Sequence, residues 1–378
     1  MIDSFSAYQL SDICTRLSSG KSIHSSKVSE AGPYPVIGGN GYRGFTQEPN
    51  FVGECAVIGR QGAACGNVRF FSGKAYMTEH AVVAQTNPSH NTRYLAYLLS
   101  TMELGRLSAQ SAQPGLSVKT LGKQEVSLPS KETQDRIVAL LGALDDAIES
   151  NAKLNDYLAE MLDARYGRLI AESNESALLV DIVRILSGGT PKTKNSEYWE
   201  DGRIPFFAPG DVTNSVYTLV TEKHITELGL DNCNSALYPV DTVFLTARGT
   251  VGKVAMAGRP MAMNQSCFAF AGINAPQTVV FQVIKGAVRS LKAKANGATF
   301  AAINTRDLKD EEVPVLSTEN MAIYDEWAKP LHAMIRSNEE ESLRLAELRD
   351  ALLPKLMSGE IDVSKVDLTP LNNHLVEH

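Results

Sequence analysis

Hydrophobic and polar positions follow two different rhythms along the chain. In two stretches the apolar residues recur at alternating steps of three and four, the spacing of a heptad seam on a long helix. Over residues 132–170 the seam reads Ile137, Leu140, Leu144, Ala147, Asn151, Leu154, Leu158 and Met161. Near the C-terminus it returns as Tyr324, Trp327, Leu331, Met334, Asn338, Glu341, Leu345, Leu348 and Leu352, and a shift of 187 carries Ile137 onto Tyr324 and Asn151 onto Asn338. A helix of about 39 residues runs to about 58 Å at 1.5 Å per residue, far longer than one core of this size needs. Asn151 and Asn338 lie near the middle of their helices, and in an antiparallel pair the middles cross. The two asparagines are therefore expected to face each other and fix the register of a coiled coil.

The other rhythm is that of short strands punctuated by glycine and proline. Ala56-Val-Ile-Gly59, Val68-Arg-Phe-Phe71 and Ala81-Val-Val-Ala84 read as strands, as do Thr242-Val-Phe-Leu-Thr246 and Cys267-Phe-Ala-Phe270. Helices are expected from Arg93 to Leu104 and from Thr278 to Lys285, continuing toward Ser290, with short strands at 124–129 and 312–316 leading into the long helices. Gly38-Gly-Asn-Gly-Tyr-Arg-Gly44 reads as a tight turn. These segments also repeat. Asp12, Leu17, Ser18 and Gly20 map onto Asp181, Leu186, Ser187 and Gly189 at a shift of 169, whereas Gly66 and Val68 meet Gly252 and Val254 at 186. The second copy thus carries about seventeen extra residues, expected to include the loop at 192–199. The pattern predicts a mixed α/β (α+β) fold: globules at 1–130 and 173–318, each with a largely antiparallel sheet. Long antiparallel helices follow at 131–172 and 319–358, with a flexible tail at 359–378 and pseudo-twofold internal symmetry.

Composition adds limits. A length of 378 residues accommodates two domains with their own cores. No apolar run is long enough to span a membrane, and the first residues lack the basic-then-apolar pattern of a signal peptide. Five cysteines (Cys14, Cys55, Cys65, Cys233, Cys267), spaced unlike zinc ligands, fit reduced thiols in a cytoplasm. The net charge of −7 argues against a nucleic-acid partner until it is divided. Residues 1–130 carry +3, 131–172 carry −4, 173–318 are neutral and 319–378 carry −6. The acid belongs to the helices and tail, so the globules remain able to present basic surfaces.

Catalytic and metal-binding signals are weak. Arg248-Gly-Thr-Val-Gly-Lys-Val254 lacks the glycine spacing and the Ser or Thr of a phosphate loop. Asp211 with Glu222-Lys223 resembles a nuclease fragment with the wrong spacing, and no His-Glu-x-x-His string occurs. The polar residues around the repeated glycines suit contact better than turnover. Arg60, Gln61, Asn67 and Arg69, like Arg248, Lys253, Asn264 and Gln265, carry groups that pair with base edges or phosphates. Lys21, Arg43, Lys192, Lys194, Lys292 and Lys294 join them as candidate DNA contacts. Two such heads on rigid helices suit duplex DNA, whose grooves recur about every 34–36 Å. A two-headed protein-binding scaffold without DNA recognition is the competing reading.

Several strings resemble a known family. Leu186-Ser-Gly-Gly-Thr-Pro-Lys-Thr-Lys-Asn-Ser-Glu-Tyr-Trp199, Arg203-Ile-Pro-Phe-Phe207, Ala247-Arg-Gly-Thr-Val-Gly-Lys-Val-Ala255 and Asn264-Gln-Ser-Cys267 are similar to the target recognition domains of type I restriction-modification specificity subunits. Glu132-Thr-Gln-Asp-Arg-Ile137 resembles the start of the family's first spacer helix, and Leu348-Arg-Asp-Ala-Leu-Leu-Pro-Lys-Leu-Met-Ser-Gly-Glu-Ile361 the end of its second. The resemblance implies a non-catalytic subunit whose two recognition domains each read one half of a bipartite DNA site, with the helices setting the gap. It also implies docking of two methyltransferase subunits, on which S-adenosylmethionine is expected, no cofactor on this chain itself, and translocating nuclease subunits as further partners. The first copy departs from the pattern: its Arg60-to-Gly66 loop is longer and it lacks the Gly-Thr-Pro string.

Overall fold

A computed structural model of the protein describes residues 5–108, 115–294 and 302–367. The chain divides into two compact units, one built from the residues up to Ala147 and those from Leu345 onward, the other from Ile148–Arg344. The division falls inside both long helices.

The N-terminal unit runs β1 (Ser6–Gln9), α1 (Leu10–Ile13), β2 (Cys14–Ser19), β3 (Tyr34–Gly38), β4 (Gly41–Thr46), β5 (Phe51–Gly59), β6 (Val68–Met77), β7 (Ala81–Thr86), α2 (Thr92–Ser100), α3 (Val118–Gly122) and β8 (Glu125–Leu128) before entering α4 (Lys131–Ala171). Six strands form one sheet in the order β2-β7-β5-β6-β3-β4, and only β3–β6 is parallel. Side chains alternate across it with the period of a strand. Ala56, Ile58, Val82 and Ala84 join Tyr94, Leu95 and Leu99 of α2 and Ile137 and Leu141 of α4 in one core, whereas Cys55, Val57, Ala81 and Val83 pack with Ile37, Phe51 and Met77 on the other face. Both faces being covered, these strands read as continuous apolar runs. Asn91 caps α2 by accepting the Tyr94 amide at 3.0 Å. The helix ends at Ser100, short of the expected Leu104, and Glu103 takes up a left-handed backbone with φ of 46°.

The second unit holds the rest of α4, then β9 (Ser176–Leu178), α5 (Leu179–Ile182), β10 (Val183–Ser187), β11 (Ile204–Phe207), β12 (Tyr217–Thr218), β13 (Lys223–Ile225), α6 (Glu227–Asp231), β14 (Val243–Thr246), β15 (Val254–Ala257), β16 (Ala262–Met263), β17 (Cys267–Gly272), α7 (Gln277–Lys294), α8 (Thr305–Lys309), β18 (Glu312–Pro314) and the start of α9 (Thr318–Met357). Here the sheet is split into β10-β17-β14-β15-β12 and β13-β11-β16. At a shift of 186 the ten residues of β6 cover residues 254–263, and Gly258-Arg259-Pro260 interrupts them. Proline cannot donate to a ladder, so one long strand becomes β15 and β16. The parallel pair Val36↔Tyr76 recurs as Phe206↔Ala262. The shift is therefore still 170 at β11, and the extra residues lie in 208–242, which carry β12, β13 and α6. The expectation that they include the 192–199 loop is corrected.

The two units share a hydrogen-bond frame beyond their strands. Leu10 N donates to Gln124 O and Leu179 N to Glu311 O, both at 2.9 Å; Gly66 N to Gly59 O and Gly252 N to Thr246 O, both at 2.8 Å. Arg60 N reaches His80 O at 3.0 Å and Arg248 N reaches Ser266 O at 3.2 Å. The duplication read from the sequence is a duplication of backbone bonding.

In the long helices the seam runs in a different phase from the expected one. Ile137, Leu141, Leu144, Leu158 and Leu162 are buried on α4, and Tyr324, Ala328, Ile335 and Leu356 on α9. Leu154, Met161, Met334 and Leu348 are instead 43–50% exposed. Every second expected position holds (137, 144, 151, 158), and the alternates move from 140, 154 and 161 to 141, 155 and 162. Leu140 stands beside Leu141 and Met161 beside Leu162, so spacing alone could not choose between the two lines. Within the second unit the partners of Asn151, Asn155 and Leu162 fall at progressively lower positions on α9, which makes the pair antiparallel. α9 continues through Pro354 to Met357.

Past α9 the N-terminal unit is closed by residues 359–367, the beginning of the expected flexible tail. Arg136 of α4 donates to the carbonyls of Val363, Ser364 and Val366 at 3.1, 3.4 and 2.9 Å, and Val363 is buried. Residues 368–378 lie outside the described ones. No helix among the described residues is long and apolar enough to cross a membrane.

Candidate nucleic-acid interface

In the N-terminal unit the candidate contacts gather around two concavities. The larger, about 640 Å³, is lined by Gly38–Arg43, Gln61, Gly62 and His80. Its floor is glycine for steric reasons: a Cβ on Gly39 would lie 2.7 Å from His80 O, and one on Gly41, whose φ is +104°, 2.7 Å from Arg69 Nη1. The close approach of Gly39 seats the β3–β4 turn on the loops that carry Gln61 and His80. The second concavity, about 470 Å³, is lined by residues 65–69 with Ser100 and residues 103–106, so Asn67 and Arg69 meet Arg106 there. Gly66, with φ of +85°, would place a Cβ 2.1 Å from Gly105 N, so it is a packing glycine. Arg43 and Gln61 thus share one concavity and Asn67 and Arg69 the other, Arg60 is half-buried, and Lys21 is exposed just past β2. Asn40, Tyr42, His80 and Arg106 were not among the sequence candidates. Tyr42 was visible only as part of a glycine-rich turn.

In the second unit the candidates separate into two kinds. Arg248 and Gln265 are exposed, and Asn264 is half-buried with its Oδ1 accepting the Ser266 amide at 2.9 Å. Thr190 donates to Gln265 Oε1. Lys192 and Lys194 are exposed on the loop whose Lys192 carbonyl accepts the Trp199 indole N–H at 3.3 Å. Three lysines have partners within the chain. Lys253 Nζ donates to Val212 O and Lys292 Nζ to Gly252 O, both at 3.2 Å. Lys294 lies 2.6 Å from Glu311, a carboxylate only 1% exposed. A buried carboxylate needs a compensating charge, and Lys294, its own side chain 61% exposed, supplies it.

The chemical alternatives weaken on the same geometry. The Asp211 carboxylate accepts the Ala208 and Glu222 amides at 2.7 and 2.9 Å, a loop-closing role that leaves the nuclease-like fragment without a function. All five cysteines are free, and burial pushes the thiols of Cys14, Cys55 and Cys267 up to about 12, far from a reactive thiolate. Among the described residues no group of three or more His, Cys, Asp or Glu side chains could hold a metal ion.

Midway along the helices Asn151 Nδ2 donates to Asn338 O at 3.4 Å, Glu341 Oε2 at 3.1 Å and Ser342 Oγ at 3.3 Å. Asn338 Nδ2 donates to Asn155 Oδ1 at 2.8 Å, and Asn155 Nδ2 to Ile335 O at 3.2 Å. Asn151 and Asn338 meet through a backbone carbonyl, not amide to amide, and Asn155 and Ser342 complete the set.

Fold and surface together define a duplicated α/β domain, each copy followed by a long helix and bearing its own polar concave face or loop. The chain belongs to the type I restriction modification DNA specificity domain family, whose model matches residues 3–160 and 172–343. It is 44% identical over 117 residues to the type I restriction enzyme EcoprrI specificity subunit of Escherichia coli, covering 31% of this chain and 29% of that protein. It is 26% identical over 274 residues to the HindI specificity subunit of Haemophilus influenzae, covering 68% of this chain and 58% of that one. The chain therefore spans between about a third and three fifths of the length of these curated relatives. Its fold is similar to the crystal structure of the type I restriction-modification S subunit from M. genitalium, with a TM-score of 0.63 at 16% identity, covering 94% of this chain and 96% of that one.

Proposed function

We propose that this chain is the non-catalytic, DNA-reading subunit of a type I restriction-modification complex. Each domain reads one half of a bipartite duplex site, and the paired helices set the gap between halves. The observation that carries this reading is one hydrogen-bond frame built twice, with different exposed polar residues: Arg43, Gln61 and Arg69 on one copy, Arg248, Gln265 and Lys192 on the other. A scaffold copied with a changed contact set is suited to two different sequences of one kind of target. The competing scaffold reading gives no reason for side chains that match base edges and phosphates.

The helices supply the partner surface. Leu154, Tyr157 and Met161 are 43%, 69% and 50% exposed on α4, spaced at three and four residues along its outer side. A solvent-facing apolar stripe on an acidic helix is suited to another helix. Its occupant in this reading is a methyltransferase subunit, two per complex, on which S-adenosylmethionine would be carried; translocating nuclease subunits complete the restriction form. The working compartment is the cytoplasm.

The test is a mobility shift of the complex with its methyltransferase on random duplex at increasing salt. Affinity should fall linearly in log–log form, because phosphate contacts release counterions. Absence of any shift at low salt would overturn the DNA reading in favour of the protein scaffold.

A further inference from the structure

We infer that the tip of the β3–β4 hairpin is the specificity-determining element of the N-terminal domain, with Asn40, Tyr42 and Arg43 reading base edges together with Gln61 and His80. The inference rests on the DNA reading above and adds where in the first domain the sequence is read.

Three observations converge. All five side chains line the same open concavity. Tyr42 is 74% exposed, the highest value among the large hydrophobic side chains of the described residues, although it sits in a sheet strand paired with Ile37. The register of the hairpin shifts between Pro35 and Ile37, and the aromatic ring it holds in solvent lacks a role in the protein's own core. The tip is also fixed in place. β3 is tied to β6 through Val36↔Tyr76 and Ile37↔Met77, and Gly39 packs on the His80 carbonyl and the Gly59 backbone. Arg69 lies against Gly41 from the other side. The reading groups are thus held by a shared backbone scaffold before any target arrives, which limits the ordering cost of binding.

The comparison between the two copies separates reading from positioning. The amides of Arg60 and Arg248, and those of Gly66 and Gly252, make the same bonds in both units. The chain leaving β3 makes a short hairpin, whereas the chain leaving β11 passes through residues 208–242 and two further strands. Two domains that read different half-sites must differ where they read. This segment is where the copies part, and it borders the Arg60 loop in one copy and, through Thr250 Oγ1 to Pro209 O at 3.4 Å, the Arg248 loop in the other. A two-stranded ribbon fits the major groove, where arginine pairs with guanine, asparagine or glutamine with adenine, and an aromatic side chain with the thymine methyl.

The experiment takes the full chain with its methyltransferase partner, selects bound duplexes from a fully randomised pool, and compares wild type with Tyr42→Ala, Arg43→Ala and Gln61→Ala. The expected result is a roughly 5- to 100-fold loss of preference at one or two base pairs of one half-site, with the other half-site unchanged. Retention of the second half-site shows that a variant is folded. A uniform fall in affinity with the selected motif intact would overturn the assignment, since that is the mark of phosphate contacts. So would an unchanged motif in all three variants. A wild-type complex that selects no motif would overturn the DNA reading itself, an outcome distinct from the other two.

Discussion

Asn338 donates its side-chain amide to Oδ1 of Asn155 at 2.8 Å, four residues along α4 from Asn151. With Asn151 and Ser342 these residues form a half-buried polar level within the seam. A polar level of this kind lowers stability relative to leucine but penalises every register that leaves an amide unpaired. Asn338→Leu alone strands Asn155 and should destabilise the second unit by roughly 1–3 kcal/mol. Replacing Asn151, Asn155 and Asn338 together by leucine should raise stability while broadening the α4–α9 register. Urea unfolding and spin-label distances between Glu160 and Lys329 measure the two effects; a single sharp distance in the triple variant would show that the asparagines do not set register.

Much of this was legible in the sequence, and the misses have physical causes. Both long helices, the duplication and the strand runs follow from periodicity, because burial on one or both faces writes itself into spacing. The seam phase does not, since Leu140 and Leu141, or Met161 and Leu162, satisfy spacing equally and only packing selects one. The lysines illustrate a second limit. Lys192 and Lys294 look alike in sequence, yet one is on an exposed loop and the other neutralises Glu311. Composition cannot reveal a partner seventeen residues away. Nothing in the sequence links Tyr42 to His80, because only the closed hairpin brings them to one concavity.

Lys294 should therefore matter to folding and not to DNA. Lys294→Ala leaves the Glu311 carboxylate, 1% exposed, without its counter-charge. The second unit should lose roughly 1–3 kcal/mol, and Glu311→Gln in the same chain should recover part of it. Thermal unfolding of the two variants and the double variant gives the coupling. A loss of DNA affinity at full stability would place Lys294 at the interface instead.

Buried His332 and half-buried Glu339 give the second unit opposing pH responses. His332 lies edge-on to Tyr217 and Phe281 with ring centroids at 6.2 and 5.7 Å, and burial lowers its imidazole to about 4. Burial likewise raises Glu339 to about 7. The stability associated with neutral His332 is present above its ordinary value of 6.5 and is lost as pH falls toward 4. That associated with protonated Glu339 is present below 4.5 and is lost as pH rises toward 7. Between about pH 4.5 and 6.5 the two slopes, each up to about 1.4 kcal/mol per unit, nearly cancel. Glu339→Gln should unmask the histidine, so that stability relative to wild type rises with pH across this window. His332→Phe should tilt it the other way. Parallel stability–pH curves for wild type and both variants would show that neither group titrates as its burial implies.

Spacing gives the last prediction. Removing seven residues from α4 and seven from α9 at matched levels shortens the pair by about 10 Å while rotating the helix by only about 20°, so the seam stays in phase. If the helices set the gap, both half-site sequences should survive and the gap should contract by about three base pairs at 3.4 Å each. A deletion of four residues from each helix instead moves Leu141, Leu144, Leu158 and Leu162 partly out of the seam. It should cost stability before it changes spacing. Mapping methylated sites across a host genome reads the gap directly for each variant. An unchanged gap in the heptad deletion, with both half-sites still methylated, would mean that the distance is fixed by the partner subunits and not by this chain.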